Sequence, residues 1–131
     1  MIVCGTLFSG FAGAHLIDEF VWGAPAEFHL SVETTEVLSL VFLSALVGLV
    51  VAAGKGTRAG YFGLALIGAL IGIADPLKHG MEILSPGAWR SGPVSEGLAI
   101  GLTLAALLTA WTSSAAFRRA GKARREEGSA E

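Results

Sequence analysis

The sequence predicts an all-α fold: an integral membrane four-helix bundle made of two hairpins. Three observations carry that prediction. Four stretches without a charged side chain, 1–14, 37–53, 59–74 and 98–117, divide a chain of 131 residues that is 53% hydrophobic. The segments between them alternate between an acidic, histidine-bearing type and a basic type. Crossing the hydrocarbon core takes about 20 helical residues, with roughly 17–25 as the working range, and every stretch reaches that length once its polar end is taken as helical.

The first helix is expected over 2–22. Its charge-free part ends at Ala14, so His15, Asp18 and Glu19 must belong to the helix and lie near the membrane boundary. The stretch lacks the basic leader and the small-residue cleavage pattern of a signal peptide, so it is expected to remain in the protein. A turn around Gly23–Glu27 contains Pro25. The second helix, 30–54, follows His29 and opens on Glu33 and Glu36 before its long apolar run. Lys55 and Arg58 mark the turn to the third helix, 59–83, which closes on Asp75, His79 and Glu82.

Pro76 lies inside that third helix. A proline there denies a hydrogen bond to the carbonyl of Gly72 and kinks or interrupts a helix, whereas it is tolerated in a first turn. The expected outcomes are a break with Asp75 as N-cap, or a helix stop followed by a surface segment. Ser85–Pro93 reads as turns, with Trp89 and Arg90 as interfacial anchors level with Trp22. The fourth helix, 94–117, begins near Glu96. Residues 1–117 thus form one transmembrane domain, and 118–131, charged and without apolar periodicity, is expected to be a disordered cytoplasmic tail.

Orientation follows from charge. Of nine basic residues, Lys55, Arg58, Arg118, Arg119, Lys122, Arg124 and Arg125 fall on one side, against Lys78 and Arg90 on the other. The positive-inside rule places both termini in the cytoplasm and the acid-and-histidine end on the extracytoplasmic side. The bilayer is therefore the first partner. Nucleic acid is not expected, because no basic stripe with interleaved aromatics is present; the net charge of -2 says nothing on that point. Cys4, the single cysteine, rules out an internal disulfide or a thiolate metal site. Gly68/Gly72 and Gly97/Gly101 have the small-xxx-small spacing that brings helices close in lipid. Such faces serve the bundle itself, or a homo-oligomer or larger membrane complex.

The functional signal is the polar end. All three histidines and eight of the eleven acids gather there. Asp75, His79 and Glu82 share one helix face at i, i+4 and i+7, as do His29, Glu33 and Glu36, and His15 pairs with Glu19 at i+4. Ionisable groups at membrane depth cost about 2.5–3.5 kcal/mol each even on the lenient scale and mark functional sites. Sliding the chain on itself by 60 residues aligns His15 with Asp75, Glu19 with His79 and Glu36 with Glu96, which points to a pseudo-two-fold repeat of the two hairpins.

That register selects His15, Glu19, Glu36, Asp75, His79 and Glu96 as candidate metal ligands, with Asp18, His29, Glu33 and Glu82 in supporting or solvent-facing roles. Imidazoles and carboxylates without thiols favour iron, manganese or zinc. Two histidines and four carboxylates match the ligand count of di-metal carboxylate proteins, although not their Glu-x-x-His spacing. The expected function is a metal-binding membrane protein, as a metal-dependent enzyme on a lipid-soluble or small substrate or as a metal-handling protein. The alternatives are ion or proton transport, and a haem-binding or accessory subunit with His15 and His79 as axial ligands.

Overall fold

A computed structural model of the chain describes residues 1–27, 29–84 and 92–128. Among these the regular structure is entirely helical: α1 (Ile2–Val21), α2 (Ala24–Glu27), α3 (Val32–Gly54), α4 (Arg58–Leu84) and α5 (Pro93–Gly128). The four long helices match the four expected, and α2 is a single turn added to the first connection. The expected anchors Trp89 and Arg90 lie outside the described residues.

Local chemistry sets the helix starts. Ser31 caps α3, its Oγ accepting from the Thr34 N–H at 3.1 Å. Thr57 does the same for α4: its Oγ1 accepts from the Gly60 N–H at 3.1 Å and donates to the Ala52 carbonyl at 2.9 Å. Gly56, at φ +78°, supplies the left-handed residue that this tight turn requires.

Two expectations about helix ends are corrected. Helix α4 runs unbroken through Pro76 to Leu84, so Asp75 is an interior residue and not an N-cap. Neighbouring helices hold the segment in place of the missing hydrogen bond, a tolerance known for prolines in membrane helices. The tail expected to be disordered from 118 instead continues α5 as helix to Gly128. At 1.5 Å per residue, the 36 residues of α5 span about 54 Å, well beyond a hydrocarbon core of about 30 Å. Arg58 lies 4.6 Å over the Phe117 ring, and Phe62 packs on the same ring at 5.9 Å, so the start of α4 grips α5 at this level.

The helices neighbour one another in the cyclic order α1, α3, α4, α5. Packing is most extensive between α4 and α5 and least between α1 and α3. Glycine explains the close pair: a Cβ on Gly68 would stand 2.6 Å from the Ala106 carbonyl oxygen and 2.9 Å from the Ala110 nitrogen. Gly72 lies as close to Leu107, and Gly101 receives the Phe11 ring, whereas Gly97 faces open space. Phe8, Leu46, Leu64 and Ala106 form the fully buried centre. Helix α3 joins it only through its later half: Leu46 and Ala53 are buried, while over 32–41 only Thr35 and Ser39 are even half-buried.

Large apolar side chains cover the exterior of every long helix, among them Ile17, Leu40, Val51, Leu70, Leu104 and Trp111. Helices Val32–Gly54, Arg58–Gly80 and Pro93–Ala123 are long and apolar enough to cross a membrane. Helix α1 has comparable length (20 residues) but is not among them, because His15, Asp18 and Glu19 lower its hydropathy. Burial agrees at the 60-residue offset for Phe8/Gly68, Ala12/Gly72, His15/Asp75, Leu46/Ala106 and Ala53/Ser113, but not for Gly5/Ala65, Glu19/His79, Phe42/Leu102 or Ala45/Ala105.

Candidate metal centre

Two helical turns build the site. His15 and Glu19 project from one face of α1, and Asp75 and His79 from one face of α4, each pair at i, i+4. Facing each other, they alternate acid and imidazole. The His15 Nε2 lies 3.7 Å from Glu19 Oε1 and 3.5 Å from Asp75 Oδ1. The His79 Nε2 lies 3.6 Å and 3.8 Å from the same two oxygens. The two rings meet edge to face, with centroids 5.4 Å apart at 81°. His15, Asp75 and His79 are buried, and Glu19 is half-buried.

These separations exceed the about 2.7–3.2 Å of N–H···O hydrogen bonds. They approach the spacing of donors around an ion: ligands about 2.0–2.1 Å from a tetrahedral metal stand roughly 3.3–3.5 Å apart. Donor atoms of His15, Glu19 and His79 all lie within 4.8 Å of one another, a group able to hold a metal ion. The remaining carboxylate oxygens are fixed from outside. Lys78 Nζ donates to Glu19 Oε2 at 2.6 Å, and Thr103 Oγ1 on α5 donates to Asp75 Oδ2 at 2.8 Å. Each carboxylate thus has one oxygen held by the protein and the other turned to the imidazoles, the kind of outer support that orients metal ligands.

Of the six candidate ligands, the structure brings together His15, Glu19, Asp75 and His79. It does not bring in Glu36 or Glu96, both of which are exposed. Helix phase is the reason: one residue turns a side chain by about 100°, and the inward positions at that level belong to Thr35, half-buried, and Ser95, buried. The ligand count of a di-metal carboxylate centre is therefore not assembled. Asp18 sits beside the cluster, where its Oδ2 accepts from Ser95 Oγ. Glu33 is exposed in the first turn of α3, and His29 is exposed in the turn before it at φ +54°. Glu82 lies on the last turn of α4, with its side chain outside the described residues.

Sequence reading missed Lys78, Thr103 and Ser95. Lys78 was legible in principle, as a basic residue isolated on the acidic end three positions after Asp75. Thr103 gives little signal, since hydroxyls are common in apolar helices, where they bond to their own backbone as Thr112 does to Leu108.

Comparison of the chain with protein families, curated proteins and solved structures gives no match in any of the three. The functional reading therefore rests on the geometry of the site alone.

Proposed function

We propose that this protein is an integral membrane metal-binding protein, a four-helix bundle with cytoplasmic termini that holds one divalent cation near its extracytoplasmic face. His15, Glu19 and His79 are the ligands, and Asp75 is the fourth donor or the base beside an open position. The carrying observation is the convergence of two imidazole Nε2 atoms and two carboxylate oxygens between α1 and α4. Depth strengthens it. Counting about 1.5 Å per residue from Arg58, Asp75 stands about 26 Å and His79 about 32 Å along α4, at the far edge of a core about 30 Å thick. A cation offsets the cost of two carboxylates placed there.

The donor set suits zinc, iron or manganese. With an open coordination position, such an ion polarises a bound oxygen or lowers the pKa of bound water, and Asp75 is the nearby group to take the proton. The haem alternative is disfavoured by the same geometry, because Glu19 Oε1 and Asp75 Oδ1 lie between the imidazoles where a porphyrin plane would pass. For transport, the buried and unpartnered hydroxyls of Thr109 and Ser113 lie along the middle of α5, but the fully buried Phe8 and Leu64 fill the hydrophobic core between the helices. The meeting of His15 with Asp75 and of Glu19 with His79, residues 60 positions apart, supports a pseudo-two-fold axis along the membrane normal.

Elemental analysis of the detergent-purified protein tests the proposal. We expect about one metal ion per chain, lost in His15→Ala and in His79→Ala and retained in Glu36→Gln and Glu96→Gln. A wild-type protein without stoichiometric metal overturns it.

A further inference from the structure

A groove of about 290 Å³ lies between α4 and α5 at the end of the molecule away from the histidine cluster. Phe62, Ala65 and Leu66 line it from α4, and Ser114, Phe117 and Arg118 from α5. Phe62 and Leu66 are 56% and 48% exposed, so the groove opens on the apolar exterior. A second arginine stands beside it. The Arg58 guanidinium lies 4.6 Å over the Phe117 ring, and its Nη2 is 3.7 Å from where a Cβ on Gly121 would stand. Each helix therefore brings one arginine to this end of the groove.

Depth and order define the occupant. From Glu96 to Arg118 the rise along α5 is about 33 Å, which brings Arg118 to the second boundary of a core about 30 Å thick. Ser114 lies one turn, about 6 Å, further in, and Phe62 and Leu66 stand about 6 and 12 Å in from Arg58 along α4. From the boundary inward the groove thus offers guanidinium, hydroxyl and apolar wall. Phosphate, ester carbonyl and acyl chain follow one another in that order in a glycerophospholipid. The Ser114 hydroxyl makes no hydrogen bond among the described residues, whereas those of Ser9 and Thr112 bond to their own helix backbone.

Charge selects among headgroups. No Asp or Glu occurs over 1–17, 37–74 or 97–125, and the next acid on α5, Glu126, lies about 12 Å beyond Arg118. Lys55, Arg119 and Lys122 add positive charge at the same end. A zwitterionic headgroup would bring a further cation into that field, whereas an anionic one brings net negative charge.

We infer that this groove is a binding site for one anionic glycerophospholipid of the adjoining leaflet. Its phosphate meets Arg118 and Arg58, an ester carbonyl accepts from Ser114, and one acyl chain lies against Phe62 and Leu66. The inference rests on the membrane-spanning reading and is independent of the metal. In the test, the full chain is reconstituted in nanodiscs of phosphatidylcholine holding a graded minor share of phosphatidylglycerol, and the lipids it retains are counted by native mass spectrometry. We expect one phosphatidylglycerol retained per chain, enriched over its share of the bilayer.

Arg118→Gln should weaken that binding about fivefold, the equivalent of about 1 kcal/mol for one basic residue at a membrane surface. Arg119→Gln removes the same charge about 100° round the helix from Arg118 and should change it less. Ala65→Phe fills the groove with every charge in place and should abolish the enrichment. Should that variant not fold, Ser114→Ala, which removes only the hydroxyl, should lower it. Equal retention of the two lipids, equal losses in Arg118→Gln and Arg119→Gln, or enrichment untouched in whichever of Ala65→Phe and Ser114→Ala folds overturns the inference. So does displacement of the lipid by inorganic phosphate, which would mark a site for a free anion. A chain that does not enter the bilayer leaves the nanodiscs empty and overturns the membrane-spanning reading as well.

Discussion

Glu19 and Asp75 each divide their oxygens between two tasks. Lys78 holds one oxygen of Glu19 and Thr103 one of Asp75, while the second oxygen of each faces the imidazoles. Lys78 supplies a positive charge beside the proposed cation site, so Lys78→Met should raise metal affinity severalfold, read by competition with a chromophoric chelator. Thr103→Val keeps the side-chain shape and removes only the bond to Asp75. Interhelical hydrogen bonds in membranes are worth about 0.6–2 kcal/mol, so this variant should lose stability of that order and bind metal more weakly. The residue types and the i, i+4 pairing of the site were legible in sequence, because imidazoles and acids are conspicuous in apolar helices. Orientation was less so. Glu36 and Glu96 sit at the expected level, yet their phase turns them outward, and phase depends on how neighbouring helices lean rather than on the residue itself.

At the scale of elements, α4 organises the molecule. It contributes Asp75 and His79 to the site and, through Gly68 and Gly72, the closest approach to α5. Gly68→Leu would drive a side chain into the Ala106 carbonyl, separate α4 from α5 and withdraw Thr103 from Asp75. Its expected result is early thermal unfolding and loss of metal together. Pro76→Ala should do the opposite, since helix α4 is already continuous there. An interior proline is about 3 kcal/mol less favourable than alanine, so a higher melting temperature with metal retained is expected. A melting temperature unchanged or lowered would show that the proline is itself needed for the path of α4. Helix number and approximate limits could be read from the charge-free stretches once their polar ends were counted as helical. The unbroken passage through Pro76 and the extension of α5 to Gly128 could not, because both depend on helix neighbours and on a charged segment whose composition resembles that of disordered chains.

At the scale of the whole molecule, the 60-residue offset takes physical form. Two of its three polar pairs meet in space, His15 facing Asp75 at 3.5 Å and Glu19 facing His79 at 3.6 Å, whereas Glu36 and Glu96 are both exposed. The proposed pseudo-axis would then pass through the site, and exchanging the members of a pair should preserve the donor set. His15→Asp should lose metal singly, and adding Asp75→His should recover it, again by elemental analysis. No recovery in the folded double variant would argue against equivalent positions about an axis. On that proposal, the same pairing bears on why the two halves are unlike. Two identical hairpins assembled as a symmetric dimer would set imidazole against imidazole and carboxylate against carboxylate across the axis. Covalent linkage of the halves lets each depart from the other, so that every acid here finds a histidine opposite. Unlikeness between the proposed repeats would thus set each acid opposite a histidine instead of opposite its own kind.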